Sequence, residues 1–423
     1  MQRTPAIYRI IVALSLFLLG TFGVTFTGTG RAAATPARTA YTPTKRTTTH
    51  RHTTTARHTA TTRRVAATLT RTRATTHRAH HRVRFAEYAD PGQDDVTTYD
   101  DPVIRSIAVE AIGHEKGAVV AVDPTTGRIL TIVNQKMAFS AALEPCSTIK
   151  PFIAVAGLQE GVITRDTMIQ VGRRRYMDLT EAMAHSNNHF FETVGSELGF
   201  QRVIKYDEML GLGQRVGYDI PEEQTGSLPA APPAFGGVAR MSSFGEGIRM
   251  TPFQLASLVS TLATGGTQYY LQYPRTEADI QSFQPRLRQQ LDIAPLLPDL
   301  REGMLAAVLY GTAKQSYDPY GEQALGKTGT CNDEDLGGRL GWFASYADQA
   351  HPKIVLVVLL HGRSRIISGP HASEIAGRIY RGLSERNYFA DAPITRESPG
   401  FYHDPAAETR TIAATPLYPS TTP

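Results

Sequence analysis

The sequence predicts an α+β fold, because strand-like segments lie near both ends of its apolar part and helical periodicity lies between them. Residues 117–122 (Gly-Ala-Val-Val-Ala-Val) and 128–133 (Arg-Ile-Leu-Thr-Ile-Val) are rich in β-branched side chains. The Asp-Pro-Thr-Thr-Gly sequence between them favours a turn, which predicts a hairpin. Residues 341–346 and 353–360 are strand-like again. Strands from both ends are therefore expected to pair into one antiparallel sheet.

Charge is distributed unevenly along the 423 residues. No Asp or Glu precedes Glu87, whereas 15 Arg and Lys residues do, which leaves 29 basic against 39 acidic residues in the remainder. The acidic remainder argues against a nucleic-acid partner. The basic segment favours anionic lipid or wall polymer as a partner.

The N-terminal residues predict export. Residues 10–27 are apolar and follow Arg3 and Arg9, which is typical of a signal sequence or a single membrane anchor. Residues 1–9 are then cytoplasmic, and the main body of the chain lies on the periplasmic or extracellular side of the cell membrane. Basic residues after the span oppose the usual charge bias, and Ala32 to Ala34 would suit a signal peptidase, so cleavage stays open.

Residues 28–100 are predicted to be a disordered Thr/Arg/His-rich linker. They contain almost no large apolar side chains until residue 83, too few to offset the loss of chain entropy. The six histidines in this segment lie among arginines that repel cations, so a solvated spacer is favoured over a metal site. Residues 391–423, rich in Pro and Thr, predict a second disordered tail. Residues 101–390 are left as the folded domain.

Three short motifs carry candidate chemistry: residues 147–150 (Ser-Thr-Ile-Lys), 186–188 (Ser-Asn-Asn) and 327–330 (Lys-Thr-Gly-Thr). Pro151 is tolerated only in a first helical turn, which predicts a helix start near Ser147. Residues three apart share a helix face, so Lys150 can reach the Ser147 hydroxyl. A partly desolvated lysine can be neutral and accept the serine proton.

Residues 321–328 also satisfy the nucleotide-binding pattern G-x-x-x-x-G-K-[ST]. A phosphate-binding loop needs an apolar strand before it and a helix after it. The flanking Tyr-Asp-Pro-Tyr and Cys-Asn-Asp-Glu-Asp sequences fit neither. An ATPase is therefore disfavoured.

The three motifs, in this order, resemble the transpeptidase domain of penicillin-binding proteins, which shares its acyl-serine motifs with the serine β-lactamases. The similarity continues through "GAVVAVDPTTGRILTIV", "SFGEGIRMTPFQLASLVSTLATGG" and "LGKTGT". The resemblance implies a central antiparallel sheet of about five strands flanked by helices. The active site would lie between the helical region and the sheet edge.

The resemblance implies a role for each residue of the first two motifs that faces the substrate. Ser147 would attack the carbonyl of a D-Ala-D-Ala stem peptide, and Lys150 would accept its proton. Ser186 would pass a proton to the leaving amine, and Asn188 would hydrogen-bond the peptide.

The third motif would bind the terminal carboxylate and the oxyanion. Lys327 and Thr330 would hold the carboxylate by charge-assisted contacts. The backbone N–H groups of Ser147 and Thr330 would form the oxyanion hole, with Thr328 and Gly329 completing the substrate-binding strand. No metal or cofactor is implied.

Two positions depart from the family pattern. The family usually has Gly where Cys146 stands, and Cys331 follows the third motif. Some class A carbapenemases bridge cysteines at these two places, which implies a Cys146–Cys331 disulfide; two buried thiols remain the alternative. Glu246 stands where Gln is expected.

The implied function is that of a monofunctional peptidoglycan D,D-transpeptidase that binds β-lactam antibiotics covalently. A serine β-lactamase would need a base for deacylation, and no Glu-x-x-x-Asn loop is evident in the sequence. A D,D-carboxypeptidase on the same fold stays open. A β-lactam sensor would need a cytoplasmic partner domain, which nine residues cannot form.

Overall fold

The computed structural model describes residues 92–347 and 351–390. The predicted cytoplasmic segment, the anchor, most of the linker and the C-terminal tail lie outside these residues. Among the described residues, none of the helices is both long and apolar enough to cross a membrane.

The folded part begins before residue 101, where the sequence predicted the linker to end. Arg105 lies 2.9 Å from the Asp95 carboxylate and 3.3 Å from that of Asp100. Thr131 also donates a hydrogen bond to Asp100 at 2.6 Å. Residues 92–100 therefore pack on the body, because buried charges fix a segment that has few apolar side chains.

The central element is a five-stranded antiparallel sheet in the order β2-β1-β9-β8-β7. Its strands come from the two ends of the described chain, as predicted. The pairs β3–β4 and β5–β6 form two small separate sheets. The strands are β1 Gly117–Asp123, β2 Arg128–Val133, β3 Ile169–Gly172, β4 Arg175–Met177, β5 Thr267–Tyr269, β6 Leu287–Gln290, β7 Ala324–Asn332, β8 Arg339–Ala347 and β9 Ile354–Gly362.

Eleven α-helices surround the sheet within the described ranges. They are α1 Pro102–Ile112, α2 Gln135–Ser140, α3 Lys150–Gln159, α4 Leu179–Ala184, α5 Asn188–Leu198, α6 Phe200–Leu210, α7 Gly237–Phe244, α8 Pro252–Ala263, α9 Glu277–Gln281, α10 Leu297–Leu309 and α11 Gly369–Ser384.

The sheet has helices on both faces. Alternate residues of β9 point to opposite sides, so Val355 and Val357 join one core while Leu356 and Val358 join the other. Helices α1 and α11 cover the second face. A strand buried on both faces reads as a continuous apolar run, which explains why β9 was evident from the sequence.

Helix α3 lies deep in the helical side and positions the candidate nucleophile. Its residues from Lys150 to Gly157 are all buried, and α8 is buried along its whole length. A helix that is apolar all round has to sit in a core. The N-terminus of α3 is therefore held rigidly against the sheet.

The conformation around Lys327 distinguishes the acyl-serine motif from the nucleotide-binding loop. The residue lies in the middle of β7, which pairs with β8 over nine residues and leads into that strand. No helix follows Thr328 directly, so the phosphate-binding geometry is not formed. The sequence preference against an ATPase is confirmed on this point.

Candidate active site

Ser147 and Lys150 lie together at the start of α3, as the motif predicted. Ser147 belongs to a short 3-10 turn, Cys146–Ile149, and Lys150 is the first residue of α3. The Lys150 Nζ is 2.6 Å from the Ser147 Oγ. Both side chains are buried, with residue exposures of 0% for Lys150 and 8% for Ser147. The pair has the geometry of a nucleophile and its base.

The second motif is a tight turn between α4 and α5 that turns two of its side chains toward Lys150. Ser186 has φ +53°, and the Asn187 side chain caps α5 by accepting from the Phe190 N–H. The Lys150 Nζ lies 2.8 Å from the Asn188 Oδ1 and 3.3 Å from the Ser186 Oγ. Because Asn187 is used as the helix cap, its two neighbours can face the cleft.

The third motif brings a second buried lysine to the same place. The Lys327 Nζ donates to the Ser186 Oγ at 2.8 Å and to the Thr328 carbonyl at 2.9 Å. Ser186 therefore lies between the two lysines. Since β7 is an edge strand of the sheet, its outer side can accept an extended peptide.

The hydroxyl groups of Thr328 and Thr330 make contacts that the sequence did not predict. Thr328 Oγ1 donates to Thr312 Oγ1 at 2.6 Å. Thr330 Oγ1 accepts from the Gly369 N–H at 2.7 Å, at the start of α11. The Thr330 hydroxyl proton can still be donated to a ligand. Its part in carboxylate binding stays a prediction.

A disulfide joins the two walls of the cleft. Cys146, which precedes the nucleophile, is bonded to Cys331 of β7, and their Cα atoms are 5.6 Å apart. Cys146 has φ +51°, a conformation that glycine adopts more easily. A Cβ atom on Gly329 would come 3.0 Å from the Pro145 carbonyl oxygen and 3.3 Å from the Cys146 Cβ. A side chain at residue 329 would push these atoms away by a few tenths of an ångström, so glycine favours the close approach of β7.

Burial changes the proton affinity of both lysines. Desolvation, together with the nearby positive charge of Lys327, holds the pKa of Lys150 well below its usual range; the Glu192 carboxylate opposes that shift. Desolvation lowers the pKa of Lys327 to about 7. A neutral lysine can accept a proton, so the site supplies a base near neutral pH.

Four residues outside the motifs make contacts near Ser147. The Ser243 carbonyl oxygen is 3.4 Å from the Ser147 Oγ, and the Ser243 hydroxyl donates to Glu192 Oε1 at 3.2 Å. Trp342 Nε1 donates to the Glu144 carbonyl at 3.0 Å. Helix spacing could have indicated Glu192, which follows Asn188 by four residues. No local pattern indicated the other contacts.

The unusual Glu246 belongs to a charged group at the rim. It accepts a hydrogen bond from Arg240 at 3.2 Å. Burial and the negative charges of Glu246 and Glu334 raise the pKa of Glu144 to about 7. Glu246 therefore adds negative charge near Glu144, which precedes the nucleophile by three residues.

A profile of the penicillin binding protein transpeptidase domain matches residues 117–381. The chain belongs to this family. Members that it resembles include stage V sporulation protein D of Bacillus subtilis, 25% identical over 64% of this chain and 50% of that protein. The peptidoglycan D,D-transpeptidase MrdA of Haemophilus influenzae is 23% identical over 62% of this chain and 52% of its own length. The chain thus spans about half the length of these relatives.

Solved structures of the family share the fold. The D,D-transpeptidase domain of a peptidoglycan glycosyltransferase from Eggerthella lenta has a TM-score of 0.56 and 19% identity, covering 68% of this chain and 82% of that one. Pseudomonas aeruginosa PBP2, solved in complex with WCK 5153, also has a TM-score of 0.56. It is 20% identical and covers 69% of this chain and 77% of its own. At these identities the likeness shows the fold, including the predicted five-stranded sheet flanked by helices.

Proposed function

We propose that this protein is a peptidoglycan D,D-transpeptidase that forms an acyl-enzyme through Ser147. The observation that carries the proposal is the 2.6 Å contact between the Lys150 Nζ and the Ser147 Oγ. Both groups lie in a buried cleft whose opposite wall presents Lys327. Family membership supports the same reaction.

In the first half-reaction, the Ser147 oxygen bonds to the carbonyl carbon of the penultimate D-Ala and its proton passes to Lys150. The peptide C–N bond then breaks, and the terminal D-Ala leaves with a proton delivered through Ser186, which contacts both lysines. Lys327 would bind the terminal carboxylate through its positive charge. Backbone N–H groups of Ser147 and Thr330 would stabilise the oxyanion.

In the second half-reaction, an amine of another stem peptide attacks the ester carbonyl. Its proton passes to the basic site, the bond to the Ser147 oxygen breaks, and that oxygen recovers a proton. The products are a new peptide crosslink and free enzyme. Water in place of the amine would give a D,D-carboxypeptidase, or a β-lactamase when the acyl group comes from a β-lactam.

Labelling with a fluorescent penicillin tests the nucleophile. We expect a stable covalent adduct that is lost in Ser147→Ala and kept in Ser196→Ala, a control at an exposed serine of α5. Rapid turnover of the label would favour a β-lactamase. Absence of an adduct in the folded wild type would contradict the proposal.

The second half-reaction separates the remaining alternatives. Incubation with a D-Ala-D-Ala pentapeptide and an amine acceptor should give a crosslinked product by mass spectrometry. Release of D-Ala with only the hydrolysed peptide would indicate a carboxypeptidase instead.

We also propose that residues 10–27 hold the chain in the cell membrane as a single pass, with the catalytic domain outside. The basic segment that follows would bind anionic lipid or wall polymer, because it carries 13 of the 15 positive charges that precede Glu87. Membrane fractionation tests the anchor. Washing with high salt should weaken only the contact of the basic segment, and recovery of the whole protein in the salt wash would contradict the anchor.

A further inference from the structure

Glu192 lies on the cleft side of α5, one helical turn after Asn188. Residues four apart occupy one face of a helix, and the Asn188 side chain on this face contacts Lys150 at 2.8 Å. The carboxylate of Glu192 is 30% exposed, so it lies at the boundary between the buried lysine and solvent. None of the three motifs includes it.

Glu192 is linked to the nucleophile through Ser243. Its Oε1 accepts from the Ser243 hydroxyl at 3.2 Å, and the Ser243 carbonyl oxygen faces the Ser147 Oγ at 3.4 Å. Ser243 is fully buried near the end of α7. One carboxylate therefore connects α5 to the segment of α7 that touches Ser147.

The charges around Lys150 come from three elements. Lys327 of β7 and Glu192 of α5 act on the Lys150 ammonium in opposite directions. On α7, Arg240 lies 4.6 Å from the centre of the Phe244 ring, and the Lys150 Nζ lies 5.8 Å from the same ring. His189 is 3.9 Å from the other Glu192 oxygen and is mostly exposed. Of these groups, only Glu192 carries a negative charge.

We propose that Glu192 is a positioning residue for acylation, which holds the end of α7 against Ser147 and places a negative charge near Lys150. The inference rests on the proposed acyl-serine chemistry. Two separate consequences follow, because the hydrogen bond and the charge can be removed independently.

Removal of the charge should change the pH dependence of acylation. The reacting form of Lys150 is neutral, so the rate rises with pH as the lysines lose a proton. Glu192 favours the protonated form. In Glu192→Gln the acid limb of the rate profile should therefore move to lower pH, by about one unit. At low pH this variant should react faster than the wild type.

Removal of the hydrogen bond should lower the maximal rate of acylation without moving the acid limb of the pH profile. Ser243→Ala keeps the Glu192 charge and loses the hydrogen bond. Its maximal rate should therefore fall, while its acid limb should stay at the same pH as in the wild type. Glu192→Asp keeps the charge on a shorter side chain and should behave in the same way. Glu197→Gln, at an exposed position of the same helix, is the matched control and should reproduce the wild type.

The measurement is the second-order rate constant for labelling by a fluorescent penicillin, from about pH 5 to pH 9. The inference is overturned if Glu192→Gln lowers the rate constant equally at every pH, or if its acid limb moves to higher pH. If Glu192→Gln does not fold, a limb that moves in Glu192→Asp overturns it equally. If the wild type is not labelled at all, the proposed function fails and the inference falls with it.

Discussion

Two regions of the helical side bury charged groups in opposite ways. In the cleft, Lys150 and Lys327 are almost fully buried, and their ammonium groups lie 2.6 to 3.3 Å from polar oxygens. On α6, Asp207 is also buried, but neither carboxylate oxygen has a hydrogen-bond partner among the residues that the structure describes.

The comparison separates the effect of burial on pKa from the effect of hydrogen-bond partners. Desolvation shifts both kinds of group toward neutrality, lowering the pKa of the lysines and raising that of Asp207. In the cleft, the hydrogen-bonded partners include the Ser147 hydroxyl, so the neutral lysine has a proton donor within reach. Without partners, the same shift at Asp207 only opposes folding at neutral pH.

The largest effect is expected for Lys150→Gln. The change removes the base that contacts Ser147, so the rate of penicillin acylation should fall by about 10³-fold at neutral pH. Lys205→Gln, at an exposed position of α6, is the control. Lys327→Gln is a second comparison and should weaken the binding of carboxylate-bearing ligands more than it slows the chemical step. Equal kinetic defects in the two variants would mean that the lysines do not have distinct roles.

The disulfide gives the next largest effect. Cys146→Ala/Cys331→Ala removes a crosslink between residues 185 apart, and the free energy of unfolding should fall by about 5 kcal/mol in the chain-entropy model. The walls that keep water from the two lysines would also be less firmly joined. Urea denaturation of the double variant, with reduced wild type as the matched control, measures this. Two titratable thiols in denatured, unreduced wild type would exclude the crosslink in solution.

The smallest effect is expected at Asp207, where a variant should stabilise the protein. The raised pKa means that the ionised form is disfavoured in the folded state. The free energy of unfolding therefore decreases as pH rises above the unfolded value near 3.8. Asp207→Asn should lack this decrease and be more stable by about 1 to 2 kcal/mol at pH 7, with little difference near pH 3.

Thermal denaturation at the two pH values measures the Asp207 effect. Glu208→Gln, at the exposed neighbouring residue, should change stability much less. A destabilised Asp207→Asn at pH 7 would mean that the carboxylate has a partner in solution. The contrast between α6 and the cleft would then disappear.

The sequence by itself determined the features that are local or that depend on motif order. The β1–β2 hairpin and a helix start near Ser147 were predicted from the residues themselves, and the structure contains both. The Cys146–Cys331 pairing that the resemblance implied is also present. Apolar periodicity and turn residues report on neighbours along the chain, so such elements can be read directly. The family resemblance supplied the order of the motifs and the cysteine pairing.

Only the tertiary structure decided which other residues meet the motifs. Strand β7 contains Lys and two Gly residues, which are poor strand formers, and its conformation depends on pairing with β8. The contacts of Glu192 with Ser243, of Thr328 with Thr312, and of Asp95 and Asp100 with Arg105 come from chain packing. A polar side chain carries no local signal of the partner that it meets once water is excluded, so these contacts appear only when the domain has folded.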